Sequence, residues 1–398
     1  MVEIEEAKGL IDRNVFRNKS VLLHLAGAYG FVTDEDVFSD RDYPPFNRAA
    51  VDGFAIQHKE LLSQNYLYTK IAEIHAGELR NISPSPNSCV QIMTGAAVPS
   101  SYNVLFKIED CKVNGNQITV PAGDCNIYYN IDTQGKIVRK MDKISSAGEH
   151  CDVQLITVLA SAGKSTIKVI KKPFVSIIST GNEIVPLESI PGPVQIRDTN
   201  FHTLNYFLQK KNITVDNYQI CRDELDELKS AIDKSSGSEI IIFTGGVSAG
   251  VADFVPQALE HAGVEKIFHK VKMKPGKPLY YGRNQKSHYF GLPGNPFSVM
   301  VGYKLFVERA IDKLMGSDTR KDLVLPLSGE RFLKGDRSEY FPVKIFNNIE
   351  TGTLKVQPLH HKGSGDYTAA YKSDGIGFHD LSKPNLKDGD LISCILWE

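Results

Sequence analysis

The sequence has little that would mark a secreted, membrane-spanning or nucleic-acid-binding chain. Its six cysteines (Cys89, Cys111, Cys125, Cys151, Cys221 and Cys394) are scattered, with no C-x-x-C pair. That excludes a zinc spacing and a small disulfide framework, and leaves them as buried hydrophobes in a reducing compartment. Long apolar runs are missing: Ile240-Ile241-Ile242-Phe243 is among the longest, far short of the roughly 20 residues that cross a bilayer. Charge of one sign is missing too, with 46 basic against 47 acidic residues and a net charge of −1. No global cationic field advertises nucleic acid or anionic lipid, so any anion site must be local. Met1-Val2-Glu3-Ile4-Glu5-Glu6 lacks the basic and apolar regions of a signal peptide. A cytoplasmic protein with no nucleic-acid and no membrane partner is expected.

What is present suits a large globular chain. At ~150 residues per domain the length predicts between two and three domains. A hydrophobic share of 41%, with 32 glycines and 19 prolines among 398 residues, can fill several cores and excludes collagen or a disordered tail. Three- and four-residue apolar spacing over residues 3–26 predicts helix, with Ser20 capping a second helix near Val21. The paired prolines Pro44-Pro45 then mark a boundary. Strand-like pieces between turns follow at 66–71, 89–93, 104–108 and 117–120, predicting a small β domain. From residue 174 the texture changes to strand, loop, helix, repeated: strands at 174–178, 213–220, 239–243 and 289–292, and helices near 203–208, 224–232, 256–261 and 296–314, the last long and amphipathic. This is the pattern of a doubly wound α/β domain, whose ligands sit at the carboxyl ends of the strands. Short strands return at 323–327, 341–346, 354–358 and 391–396, predicting a terminal β domain.

Three loops at expected strand ends could carry chemistry. In Thr244-Gly245-Gly246-Val247-Ser248-Ala249-Gly250 the glycines let backbone N–H groups approach an anion, Ser248 adds a hydroxyl, and Asp253 is placed to hold a metal ion or a ribose. A tight turn without ligand has the same composition. Met273-Lys274-Pro275-Gly276-Lys277-Pro278 fixes two cations on a rigid loop, matching an oxyanion such as phosphate or molybdate by charge. In Gly291-Leu292-Pro293-Gly294-Asn295-Pro296-Phe297-Ser298, Asn295 is a good N-cap and Pro296 a good first helical residue, so the loop opens a helix whose N-terminus attracts anions. Together they describe a pocket for a polyanionic, phosphorylated ligand.

These blocks, with Ala50-Val51-Asp52-Gly53-Phe54-Ala55, Ile92-Met93-Thr94-Gly95-Ala96, Ser179-Thr180-Gly181-Asn182-Glu183 and Ile196-Arg197-Asp198-Thr199-Asn200, occur in one order over most of the chain. In that combination the sequence resembles the molybdopterin molybdenumtransferases, the MoeA and gephyrin E-domain family. The resemblance implies an α/β multi-domain fold in four parts. They are an elongated helical dimerisation part (1–45 and 131–172), an inserted β domain (46–130), a central doubly wound α/β molybdopterin-binding domain (173–318) and a C-terminal β barrel-like domain (319–398). It implies a homodimer, and a reaction that inserts molybdate into adenylated molybdopterin, hydrolyses the adenylate and releases AMP with help from Mg2+. Lys274, Lys277 and Ser298 would line the molybdate site, with Arg337 and Ser364 from the terminal domain. Gly245, Gly246 and Ser248, with Pro293, Gly294 and Asn295, would bind the pterin ligand. Asp198 and Asp253 would hold the metal, Glu183 would sit at the cleft edge, and Asp52 and Thr94 would come from the partner subunit.

The sequence also departs from the family pattern. Where the family carries Asn-Ile-Arg and then Gly-Glu-Asp, this chain has Asn130-Ile131-Asp132 and Gly135-Lys136-Ile137, and Ala49 and Val51 replace the usual serine and methionine. That departure motivates an alternative, a divergent paralog that binds molybdopterin as a scaffold without efficient turnover. A molybdopterin adenylyltransferase is a third reading, and such an enzyme is also a candidate partner.

Overall fold

The computed structural model describes residues 1–62, 66–247, 254–317, 322–349 and 352–397. At its centre a six-stranded sheet runs in the order Val215–Cys221, Val175–Thr180, Ile240–Thr244, His288–Leu292, Tyr280–Arg283, Glu265–His269. The first four strands pair in parallel, and the other two join through antiparallel pairings. Every residue of Val175–Thr180 and of Ile240–Thr244 is buried, as expected of parallel strands covered on both faces. Alternate side chains enter opposite cores: Ile177, Ile240 and Ile242 one, Ile178, Ile241 and Phe243 the other. The chain steps from Val175–Thr180 to one neighbour and then returns to the other. The order therefore reverses between Val175–Thr180 and Ile240–Thr244, where a doubly wound sheet opens its ligand crevice.

The segment at 296–314 differs from the expected amphipathic helix. It is Pro296–Gly302, one π-helical turn Tyr303–Val307, then Glu308–Leu314, and it is buried on nearly every side. The reason is its position. One core holds Phe297, Val301, Phe306 and Ile311 from this segment, Ile4, Ala7 and Ile11 from the first helix, and Tyr340, Ile376 and Ile395 from the C-terminal sheet. The first helix, Ile4–Asn14, is clamped there by Asp12, which accepts from Arg309 Nε at 2.8 Å.

The second expected helix is a strand. Ser20–His24 pairs antiparallel with Thr166–Ile170, and the Ser20 hydroxyl bonds the Asp34 carboxylate instead of capping a helix. Pairing with the β-branched Thr166, Ile167, Val169 and Ile170 overrides the local spacing. A second short ladder joins Val37–Phe38 to Lys143–Ser145. The region expected to be helical is thus mixed, with the helix Val153–Ser161 packed on its strands.

Two further sheets flank the centre. One runs in the order Val104–Lys107, Gly53–Ile56, Ser88–Ile92, Leu67–Ile74, Gln117–Thr119, Lys112–Asn114. The other runs Met273–Lys274, Ser338–Asn348, Gly375–His379, Leu391–Leu396, Leu323–Pro326, with Thr353–Pro358 on the edge of Ser338–Asn348. Its first strand belongs to the lysine-bearing loop and pairs in parallel, Met273 with Ser338 and Lys274 with Glu339. That ladder brings cations from the central and terminal parts of the chain to one place.

Candidate functional site

Three parallel strands end level with one another, since Ser179 pairs with Thr244 and Thr244 with Leu292. The loops that follow crowd together at that edge. Gly245 donates its N–H to Leu292 O at 3.0 Å. Gly245 and Gly246 have φ of +90° and +59°, and a Cβ on Gly245 would lie 2.4 Å from Thr180 O. Only glycine fits there, which leaves backbone rather than side chain facing the crevice. Gly294 lies against Gly245, and its carbonyl accepts from Asn200 Nδ2 at 2.8 Å. Thr180 Oγ1 and Asn200 Oδ1 are buried without a hydrogen-bond partner, an unusual state that a bound polar ligand would relieve. Ser248 and Asp253 lie outside the described residues.

Beside these turns is a cavity of about 440 Å³ lined by Lys274, Lys277, Pro293, Asn295, Ser298, Arg337 and Ser364 among others. Seven residues singled out in the sequence, from four separate stretches, therefore line one cavity. Asn295 stands at the N-cap position of Pro296–Gly302 but makes no side-chain cap. Its Nδ2 donates instead to Ser364 Oγ at 2.8 Å, and Phe297 N donates to Ser364 O at 3.2 Å. Arg337 Nη1 reaches Met273 O at 3.5 Å.

Sequence reasoning missed Arg331, Lys334, Glu339 and His361, which line the same cavity. A recurrence at three-residue spacing, Arg331, Lys334, Arg337, was the available signal. Five cationic side chains thus face one carboxylate: Lys274, Lys277, Arg331, Lys334 and Arg337 against Glu339. Glu339 is 4% exposed. Burial alone would raise its pKa, but the hydrogen bond and charge of Arg331, and those of Lys274, hold it below the ordinary value. Burial also lowers the pKa of His361; Glu339 opposes this, and Arg331 and Lys274 add to it. This excess of positive charge suits an anion of more than one charge.

Other sequence-singled residues lie elsewhere. Asp52 and Thr94 lie in the turns just outside the paired strands Gly53–Ile56 and Ser88–Ile92, where Asp52 Oδ1 accepts from Thr94 N at 2.6 Å and Thr94 Oγ1 at 2.7 Å. Those bonds hold the exposed Asp52 carboxyl below its ordinary pKa. Neither residue lines the cavity of its own chain. Glu183 is exposed at the first strand's end, its carboxylate folded back over Gly181. Asp198 is 2% exposed, and its oxygens are already committed: Oδ1 accepts from Asn200 N and Phe201 N at 3.0 and 3.1 Å, and Oδ2 from Tyr218 Oη at 2.8 Å. Among the described residues no group of three or more His, Cys, Asp or Glu side chains is arranged to hold a metal ion. At the departure from the family pattern, Asp132 pairs with Arg48 and Lys136, each at 2.9 Å, while Ile137 is exposed.

Comparison with known proteins adds the following. The family profile described as the MoeA N-terminal region (domain I and II) matches residues 2–163, and that of a probable molybdopterin binding domain matches 176–313. A molybdopterin molybdenumtransferase of Synechocystis sp. is 27% identical over all of both chains. One from Staphylococcus aureus (strain Mu50) is 28% identical over 100% of this chain and 96% of its own. Among solved structures, a molybdopterin biosynthesis MoeA protein from Pyrococcus horikoshii superimposes with a TM-score of 0.82 at 25% identity, covering 100% of this chain and 99% of that one. Among the described residues no helix is long and apolar enough to cross a membrane.

Proposed function

The chain belongs to the molybdopterin molybdenumtransferase (MoeA) family, and from that premise we propose that it inserts molybdate into adenylated molybdopterin. Water cleaves the adenylate and AMP leaves, while molybdate gives up oxygen as water, with the thiol protons, as molybdenum binds the two pterin dithiolene sulfurs. The observation that carries this reading is the shared cavity, where Lys274, Lys277, Arg331, Lys334 and Arg337 converge beside the glycine turns at the strand ends. Two negatively charged substrates repel one another, so their approach needs fixed positive charge and N–H donors in a partly dry site.

Position supports the following roles for the described residues, and the family resemblance supports that of Ser248. Lys274, Lys277 and Ser298, with Arg337 and Ser364, take the oxyanion. The backbone at Gly245 and Gly246 takes the phosphate end of the pterin ligand, together with Ser248 and the Pro293-Gly294-Asn295 turn. Thr180 Oγ1 and Asn200 Oδ1 gain partners when it binds. Mg2+ does not fit Asp198 as that residue stands, because its two oxygens accept three donors, and no step is routed through it. Asp52 and Thr94 act from the partner of a homodimer, which accounts for their exposure beside a different sheet. An adenylyltransferase would supply the substrate in a preceding step.

The test is AMP release from adenylated molybdopterin with and without molybdate. Release that rises with molybdate supports the transferase. Ligand binding with no release supports the scaffold alternative, for which the loss of acidic residues at Lys136 and Ile137 is the motive.

A further inference from the structure

We propose that Glu339 is a positioning residue that holds the Lys274 ammonium at the wall of the oxyanion cavity and weakens its ground-state grip on the dianion. The inference rests on the transferase reading of that cavity. A carboxylate is the wrong charge for an anion pocket, yet Glu339 is buried on its wall. It is rigidly held. Oε2 accepts from Arg331 Nη2 at 2.7 Å, and Arg331 Nη1 donates to His379 Nδ1 at 2.6 Å. His379 Nε2 in turn bonds Lys383 O at 2.8 Å, which fixes the ring with its proton on Nε2. The Arg331 guanidinium also lies 4.0 Å over the Phe341 ring.

Lys274 is the less constrained partner. Its side chain is 50% exposed, and its Nζ lies 3.1 Å from Glu339 Oε1, across the parallel pairing of the two residues. A lysine on a flexible stem otherwise samples many rotamers. Tied to Glu339 by one N–H, it presents the other two in a fixed direction. The same carboxylate repels an incoming dianion. Removing its charge frees Lys274 to collapse onto the substrate. At this short range, in a partly buried site, the lost repulsion outweighs the rotamer freedom regained. Binding then tightens while the reacting geometry loosens.

The experiment uses the full chain and compares wild type with Glu339→Gln and Glu339→Asp. Molybdate binding is read by calorimetry, turnover by molybdate-dependent AMP release, and Lys274 by its rate of competitive acetylation. Thermal melts verify folding. Glu339→Gln is expected to bind molybdate about threefold more tightly and turn over about tenfold more slowly. Lys274 is expected to acetylate faster, because its ammonium has lost a counter-ion. Glu339→Asp keeps the charge but not the reach, so its affinity stays near wild type while turnover remains reduced. Unchanged turnover and acetylation in Glu339→Gln, or weakened binding alongside a lowered melting temperature in both variants, overturns the proposal. Wild type that releases no AMP defeats the transferase reading, and the acetylation rate then still decides whether Glu339 holds Lys274.

Discussion

Asn295 Nδ2 donates a 2.8 Å hydrogen bond to Ser364 Oγ, tying the start of a buried central helix to a segment of the terminal region. Both residues line the cationic cavity. The bond therefore sets the distance between two of its walls. Asn295→Ala and Ser364→Ala are each expected to cost about 1 kcal/mol of stability and to raise the molybdate KM about tenfold. Urea unfolding and steady-state kinetics measure both. The double variant should cost about as much as either single one, because the two share one interaction. Full additivity contradicts this.

The glycine turn makes a sharper steric prediction. A Cβ at Gly245 would sit 2.4 Å from Thr180 O, on a backbone with φ of +90°. Gly245→Ala should lose about 1–3 kcal/mol and bind adenylated molybdopterin poorly. Gly294→Ala is the control. Its nearest atom would be Gly245 Cα at 3.9 Å, an ordinary contact, so stability should change by less than about 0.5 kcal/mol.

Asp52 and Lys274 test the subunit arrangement. If each cavity borrows Asp52 from its partner, Asp52→Ala and Lys274→Ala homodimers are both inactive. A mixture holds heterodimers with one intact site, and random assembly should restore about a quarter of wild-type activity. Native mass spectrometry verifies that heterodimers are present. Heterodimers without recovered activity contradict the arrangement.

Acid sensitivity should trace in part to His288. Burial pushes its pKa from 6.5 down to about 4, with Arg283 adding to the effect. The unfolded chain therefore binds the extra proton first as pH falls. Stability contributed by the neutral ring is intact above about pH 6.5 and is lost progressively down to about pH 4, by at most about 3 kcal/mol. Tyr281 Oη lies 3.1 Å from its Nδ1. His288→Gln keeps a hydrogen-bonding group there and cannot charge, so its melting temperature should fall less steeply from pH 7 to pH 5. Parallel curves for the two proteins contradict this.

The sheet and much of the cavity were legible in the sequence because local chemistry announces them. Continuous β-branched runs specified Val175–Thr180 and Ile240–Thr244, and the proline-flanked lysines marked Lys274 and Lys277. What escaped depends on contacts between distant residues. Ser20–His24 has helical spacing but is a strand because Thr166–Ile170 pairs with it. Asn295 has the chemistry of a cap but spends its amide on Ser364. Asp198 has the chemistry of a metal ligand, yet Tyr218 and a helix start absorb both oxygens. Glu339 joins the site through its pairing with the distant Lys274, which no local pattern encodes, and holds Arg331 there through their ion pair.

The most direct test of the central claim is a single-turnover reaction with enzyme in excess over adenylated molybdopterin. AMP in solution and molybdenum retained on the protein-bound pterin are quantified together. The proposed transferase releases one AMP for each molybdenum retained, and Lys274→Ala, which removes a cation from the cavity wall, slows both to the same extent. AMP release without retained molybdenum, or release indifferent to both molybdate and Lys274, would contradict it.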